Sequence, residues 1–182
     1  IEVLTQEFNS LKESNSVTIT ELATVKTDLE NRNRELEEKV TLQDKIQNLN
    51  QASELINEGN YEEASILLVS MDRDGLPADL VDRFDELVSR AHPRTANILF
   101  NRGVSKYRAK AYDEAIVIFN DCLKYADYDS YFSGDSKYYL GEIALIREDN
   151  ESAKNYFTDV VDNYNGIAKN YWTARNRLSR LE

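Results

Sequence analysis

Reactive chemistry needs a nucleophile, a proton carrier or metal ligands at close range, and this chain offers few. It holds one histidine, His92, and one cysteine, Cys122. A single histidine forbids a His-pair metal site. A Cys122–His92 pair would also need an orienting third group and an oxyanion pocket, and no motif supplies either. His92 precedes Pro93 and reads as a boundary residue at a helix junction. Cys122 stands where a small packed side chain is wanted and reads as buried filler. Gly134-Asp135-Ser136 has the outline of a serine nucleophile block. The acid–histidine partner of such a block is missing, because Ser89 stands three residues before His92. Asp135 or Ser136 reads instead as the N-cap of the next helix. Asp72-Arg73-Asp74-Gly75 has the composition of a calcium loop. In that frame the first ligand would be Ser70 and the twelfth Val81, where a bidentate Glu is required. No Gly-rich phosphate loop is present. The expectation is a non-enzyme with no catalytic residue, no metal and no cofactor.

The elements that could carry any other function are helices. The chain of 182 residues has only 2 Pro and 6 Gly, with 30% charged and 41% hydrophobic residues. That composition favours an all-α fold. A net charge of −11 argues against a nucleic-acid partner, which needs clustered Lys and Arg, and against an anionic membrane surface. No apolar run is long enough to span a bilayer, and no signal peptide is visible. The chain opens at Ile1 and reads as a fragment or mature form, so an upstream anchor or signal stays open. The lone Cys122 makes no disulfide framework.

From Ile1 to about Asn57 there is neither Pro nor Gly, and the apolar spacing predicts one long helix. Its first part, 1–45, reads as a coiled coil about 65 Å long at 1.5 Å per residue. Taking Leu4 as position a, that series runs Leu4, Leu11, Thr18, Val25, Arg32, Lys39, Ile46. The d series runs Phe8, Asn15, Leu22, Leu29, Leu36, Gln43, Asn50. The seam residues are Leu4, Phe8, Leu11, Leu22, Val25, Leu29 and Leu36. Val25 at a among leucines at d predicts a parallel dimer over a trimer, with Asn15 and Arg32 fixing register. Near Leu36 the register shifts towards Leu42, Ile46 and Leu49, a handover to globular packing. The alternative is a lone amphipathic helix lying along the rest of the chain.

Over 46–182 short breaks recur: Gly59-Asn60, Asp72–Pro77, His92-Pro93, Lys110–Tyr112, Asp127–Ser136, Asp149-Asn150 and Asn165-Gly166. Three stretches align: EGNYEEASILL at 58–68, AKAYDEAIVIF at 109–119 and REDNESAKNYF at 147–157. Each places an alanine four residues before a large apolar side chain: Ala64 and Leu68, Ala115 and Phe119, Ala153 and Phe157. Gly103 and Gly141 lie twelve residues before their alanines, and Ala52 takes that place in the first stretch. Small residues let helix backbones approach closely, and the bulky one fills the neighbouring groove.

This pattern resembles the tetratricopeptide repeat, a helix-turn-helix unit of about 34 residues. The Ala64–Ala115 interval of 51 residues exceeds one repeat and is read as holding an inserted helix at about 78–91. The Ala115–Ala153 interval of 38 residues also exceeds one repeat and is read as holding a longer loop through Tyr128, Tyr131 and Phe132. A capping helix is expected at about 167–181, with Tyr171, Trp172, Leu178 and Leu181 covering the last repeat. The resemblance implies an α-α superhelix whose groove binds other proteins or peptides, with Leu49, Ser53 and Ile56, then Phe100, Val104 and Tyr107, then Tyr138, Glu142 and Leu145 facing it. The Lys and Asn with which some family members hold a terminal carboxylate are absent. Whether these aromatics face a ligand or pack against the flanking helices stays open. Coiled coil followed by repeats is also similar in layout to the periplasmic coordinator family of the Tol-Pal envelope system, where the coiled coil oligomerises and the repeats contact partners. That likeness favours the extracytoplasmic side of a bacterial membrane. The reading is a homo-oligomeric scaffold; the alternative is the sensor or regulatory region of a membrane-anchored bacterial protein, with the coiled coil as stalk.

Overall fold

The structure is a computed structural model and describes residues 2–127 and 130–181. Among them every regular element is a helix: α1 (Glu2–Glu58), α2 (Tyr61–Val69), α3 (Ala78–Arg108), α4 (Tyr112–Tyr125), α5 (Tyr131–Ile146), α6 (Asn150–Asn163) and α7 (Tyr171–Leu178). The chain divides into two units, Ile1–Gln47 and Asn48–Glu182. No described helix is long and apolar enough to cross a membrane.

The first unit is helix alone. Threonine is a weak helix former, yet six occur here. Thr18, Thr20, Thr24, Thr27 and Thr41 each donate their hydroxyl to the carbonyl four residues back at 2.9–3.0 Å. Those bonds satisfy the hydroxyls locally, so these threonines need no partner elsewhere. The heptad labels need correcting. Leu4 to Phe8 spans four residues, whereas a to d spans three, so the two series exchange names. Phe8, Asn15, Leu22, Leu29 and Leu36 occupy a; Leu4, Leu11, Thr18, Val25 and Arg32 occupy d. The argument for two strands from Val25 at a therefore falls.

The second unit is built from helix pairs closed by one recurring turn. Gly59, Lys110 and Glu148 have φ of 84°, 60° and 61°, and each lies five residues before the alanine of its stretch. In each turn the left-handed residue donates its N–H three residues back, Gly59 to Ile56, Lys110 to Tyr107 and Glu148 to Leu145, at 3.0–3.1 Å. The next residue donates five back, Asn60 to Leu55, Ala111 to Lys106 and Asp149 to Ala144, at 2.8–3.0 Å. That double bond is the Schellman closure, which satisfies the orphan carbonyls of a helix end. Asp149 also caps α6 by accepting from the Ser152 N–H at 3.0 Å.

Past the turn the small and large residues meet as their spacing predicts. Ala64, Ala115 and Ala153 are fully buried, as are Leu68, Phe119 and Phe157. A Cβ on Gly103 would fall 2.7 Å from the Phe119 ring, and one on Gly141 would fall 2.7 Å from the Phe157 ring. Each glycine is thus the floor on which an aromatic ring of the facing helix rests. Ala52 and Leu68 keep the same offset with a smaller partner, inside a cluster that also holds Leu49, Ile56, Phe84, Leu87 and Ala91.

The expected break at His92-Pro93 does not occur. Helix α3 runs through it, and Pro93 lies in its interior. An interior proline removes one helix hydrogen bond and costs about 3 kcal/mol. Packing on both sides offsets it: Leu87 and Ala91 are buried before it, Thr95, Ala96 and Leu99 after it. Thr95 Oγ1 donates to the Tyr61 carbonyl at 2.8 Å, which leaves it to accept from Ser65 Oγ at 2.9 Å. The segment 78–91 is therefore the first half of one 31-residue helix, not a separate insertion.

Two further expectations are revised. Ser130, not Asp135 or Ser136, caps α5, accepting from the Ser133 N–H at 3.4 Å. Gly134, Asp135 and Ser136 are buried inside that helix, and a Cβ on Gly134 would fall 2.7 Å from Ala168 and 2.9 Å from the Tyr164 ring. The closing helix is shorter than expected, Tyr171–Leu178; Tyr171, Leu178 and Leu181 pack on the last pair as expected, joined by Ala174, while Trp172 is 66% exposed. Of the loop residues named above, Tyr128 lies outside the described residues, and Tyr131 and Phe132 open α5.

Candidate functional site

Two surfaces stand out, one in each unit. In the first, α1 carries Leu4, Phe8, Leu11, Leu22, Val25, Leu29 and Leu36, each more than half exposed. Val3, Val17, Ile19 and Val40 are exposed to the same degree. Single exposed apolar residues are ordinary, but a stripe repeating along one helix is not. The shallow concavity bounded by Phe8, Leu11, Asn15 and Ile19 is this stripe seen locally.

In the second unit, α3, α5 and the segment before α7 enclose a groove of about 430 Å³. Phe100, Val104 and Tyr139 line it with apolar and aromatic surface; Asn101, Ser105, Arg108, Asp135, Lys169 and Asn170 supply the polar rim. The floor is aromatic because Phe100 meets Phe119, Tyr131, Phe132 and Tyr139 at centroid separations of 5.6–6.1 Å. Tyr139 lies almost parallel to Phe119 at 5.3 Å, and its other side meets Tyr107 at 5.0 Å. Such contacts fix ring positions by packing rather than by hydrogen bonds.

The residues expected to face a groove divide. Phe100 and Val104 line it and are half-buried. Tyr107 lies beside it, packed against Tyr112 and Tyr139, and burial pushes its hydroxyl above the usual tyrosine range. Tyr138 and Glu142 are each only 8% exposed. The Glu142 carboxylate accepts two bonds from the Arg177 guanidinium of α7, at 2.8 and 3.1 Å. Tyr138 packs with Phe157 in the cluster that α7 closes. Leu49 and Ile56 are likewise core residues.

Asp135 is the unexpected member. It is 1% exposed, and its Oδ1 accepts from the Asn170 backbone N–H at 2.9 Å. Burial raises its pKa above the ordinary carboxylate value, opposed by the bonds from Asn170 and the charge of Lys169. Its role is to pin the 169–170 backbone that forms one wall. Arg108 was findable in the sequence, since it follows Phe100 and Val104 at steps of four on one helix face. Lys169 and Asn170 were not, because they come from an irregular segment with no periodicity to read.

The reactive residues are accounted for by packing. The Cys122 thiol is buried and bonds the Ala96 carbonyl at 3.3 Å, and burial raises its pKa, so it is no ready nucleophile. His92 lies edge-on to Tyr125 at 5.4 Å, and its buried Nε2 has no partner among the described residues. No cluster of His, Cys, Asp and Glu suited to a metal ion occurs among the described residues. Comparison with protein-family models, with curated proteins and with solved structures returned no match.

Proposed function

We propose that this chain is a non-enzymatic interaction scaffold that assembles through α1 and recruits protein partners through the groove of its second unit. The observation that carries the reading is the stripe of exposed leucines, valines and Phe8 along residues 3–40. Burying one such side chain against a second copy contributes about 1.5–3 kcal/mol, so several layers outweigh the entropy of association. With the heptad labels corrected, Asn15 sits at an a position. An Asn among the apolar a residues Phe8, Leu22 and Leu29 favours a parallel pair in register, because each Asn can bond its twin across the seam. Joining two copies also places two grooves on one particle, which raises avidity without any new contact.

Sedimentation equilibrium on the full chain tests this. The expected result is a dimer whose dissociation is concentration-dependent. The double substitution Leu22→Asp and Leu29→Asp should yield a monomer that keeps the helical signal of residues 48–181. A wild-type chain that stays single at all accessible concentrations would sink the proposal.

A further inference from the structure

The groove has a chemical bias that protein recruitment in general does not specify. Half of the basic side chains of the second unit are already matched: Arg73, Arg90, Arg102, Lys106, Lys124, Lys137, Arg147 and Arg177 each hold an Asp or Glu. Arg108 and Lys169 do not. Among the described residues neither forms an ion pair, and both line the same groove. Both are exposed. The Lys169 ammonium rests 4.1 Å from the Tyr131 ring centroid, an orientation that leaves it free to accept an anion as well. Among the described residues the only acid lining the groove is Asp135, which is buried and accepts from the Asn170 N–H. In a chain of net charge −11, two exposed cations against one buried carboxylate leave the described lining of this groove with an excess of basic groups.

Between those cations lies the apolar bed of Phe100, Val104 and Tyr139. We propose that the groove takes an acidic peptide segment. One large apolar side chain of the peptide lies on the bed, and flanking carboxylates are held by Arg108 and Lys169. The inference rests on the reading of this groove as a partner-binding surface. At about 430 Å³ the groove falls within the range that holds a few side chains rather than a whole domain. Charge-assisted bonds from a guanidinium and an ammonium supply orientation, and the aromatic bed supplies desolvated area. Such binding weakens as salt rises, because both cations are exposed.

The test is selection from a random peptide library displayed on phage, with the full chain as target, followed by fluorescence anisotropy of the selected peptides made synthetically. The expected result is enrichment of Asp and Glu beside an aromatic or Leu. Binding should weaken roughly tenfold for each cation removed in Arg108→Ala and Lys169→Ala, and by more in the double reversal to Glu. Both side chains are exposed, so folding is preserved, and circular dichroism verifies it. Val104→Gln reports on the groove separately from its charge. Peptides that need Val104 yet are neutral or basic and indifferent to R108E/K169E overturn the acidic class and leave the groove as a binding surface. Selection that yields no Val104-dependent peptide overturns both.

Discussion

Replacing Gly141 by alanine gives the packing of the second unit a sharp trial. The added methyl would lie 2.7 Å from Phe157 Cε1 and 2.9 Å from Cζ, distances that real contacts do not reach. Phe157 is fully buried, so its ring can yield only by disturbing its packed neighbours. Forced overpacking costs about 1–3 kcal/mol. Alanine itself favours a helix over glycine by about 1 kcal/mol. The balance is a net loss of up to about 2 kcal/mol, read from urea denaturation followed by far-UV circular dichroism at one protein concentration. Phe157→Leu alone leaves a cavity and should cost about 1–2 kcal/mol. Together the two substitutions recreate the small-and-medium pair that Ala52 and Leu68 form naturally in the first helix pair. The double variant should therefore be more stable than the sum of the single losses predicts, with a coupling near 1 kcal/mol. An alanine variant at least as stable as the wild type, or losses that add to within about 0.5 kcal/mol, would refute the wedge of Phe157 on Gly141.

The remaining predictions concern a turn and a histidine. Lys110 holds a left-handed conformation at the turn position that Gly59 fills in the first pair. Lys110→Gly should stabilise by about 1 kcal/mol, a gain measurable as a higher urea midpoint with unchanged slope. Burial depresses the His92 pKa below its ordinary 6.5, although the charge of Asp127 opposes the shift. A depressed value in the fold means the unfolded chain binds the proton more readily. The His92 contribution is then complete above pH 6.5 and is lost as pH falls through the folded pKa. Asp135, raised by burial, acts in the opposite sense at lower pH, so the comparison must be between wild type and His92→Gln. The difference between their stability profiles should shrink on acidification, and a constant difference would contradict the assignment.

The repeat was legible because it is written in residue size. Alanine, glycine and a bulky partner at fixed offsets can be read from sequence, and each set met in space as the offsets imply. The turn was half legible: Gly59 announces a left-handed residue, whereas Lys110 and Glu148 at the same place do not, since the Schellman bonds impose the conformation on them. Pro93 misled because proline is a local breaker and the packing that overrides it, Thr95 against Tyr61 and Ser65, lies about thirty residues away in the chain. Gly134 misled for a similar reason; its purpose is to admit Tyr164 and Ala168, not to turn the chain. For the groove, helix periodicity gave Phe100 and Val104 but placed Tyr138 and Glu142 with them. The contact that removes those two is Arg177 on Glu142, and a salt bridge between distant helices leaves no periodic trace.

Helix α3 has a mechanical meaning. Its early turns, through Phe84, Leu87 and Ala91, complete the core under α2, and its later turns, through Leu99 and Gly103, receive α4. One beam thus serves two neighbouring modules. A break at Pro93 would have let the modules swivel, and the spacing of anything bound along them would have drifted with thermal motion. As a single girder, α3 holds Phe100, Val104 and Arg108 at fixed intervals, so the wall they form keeps its graduations like a ruler.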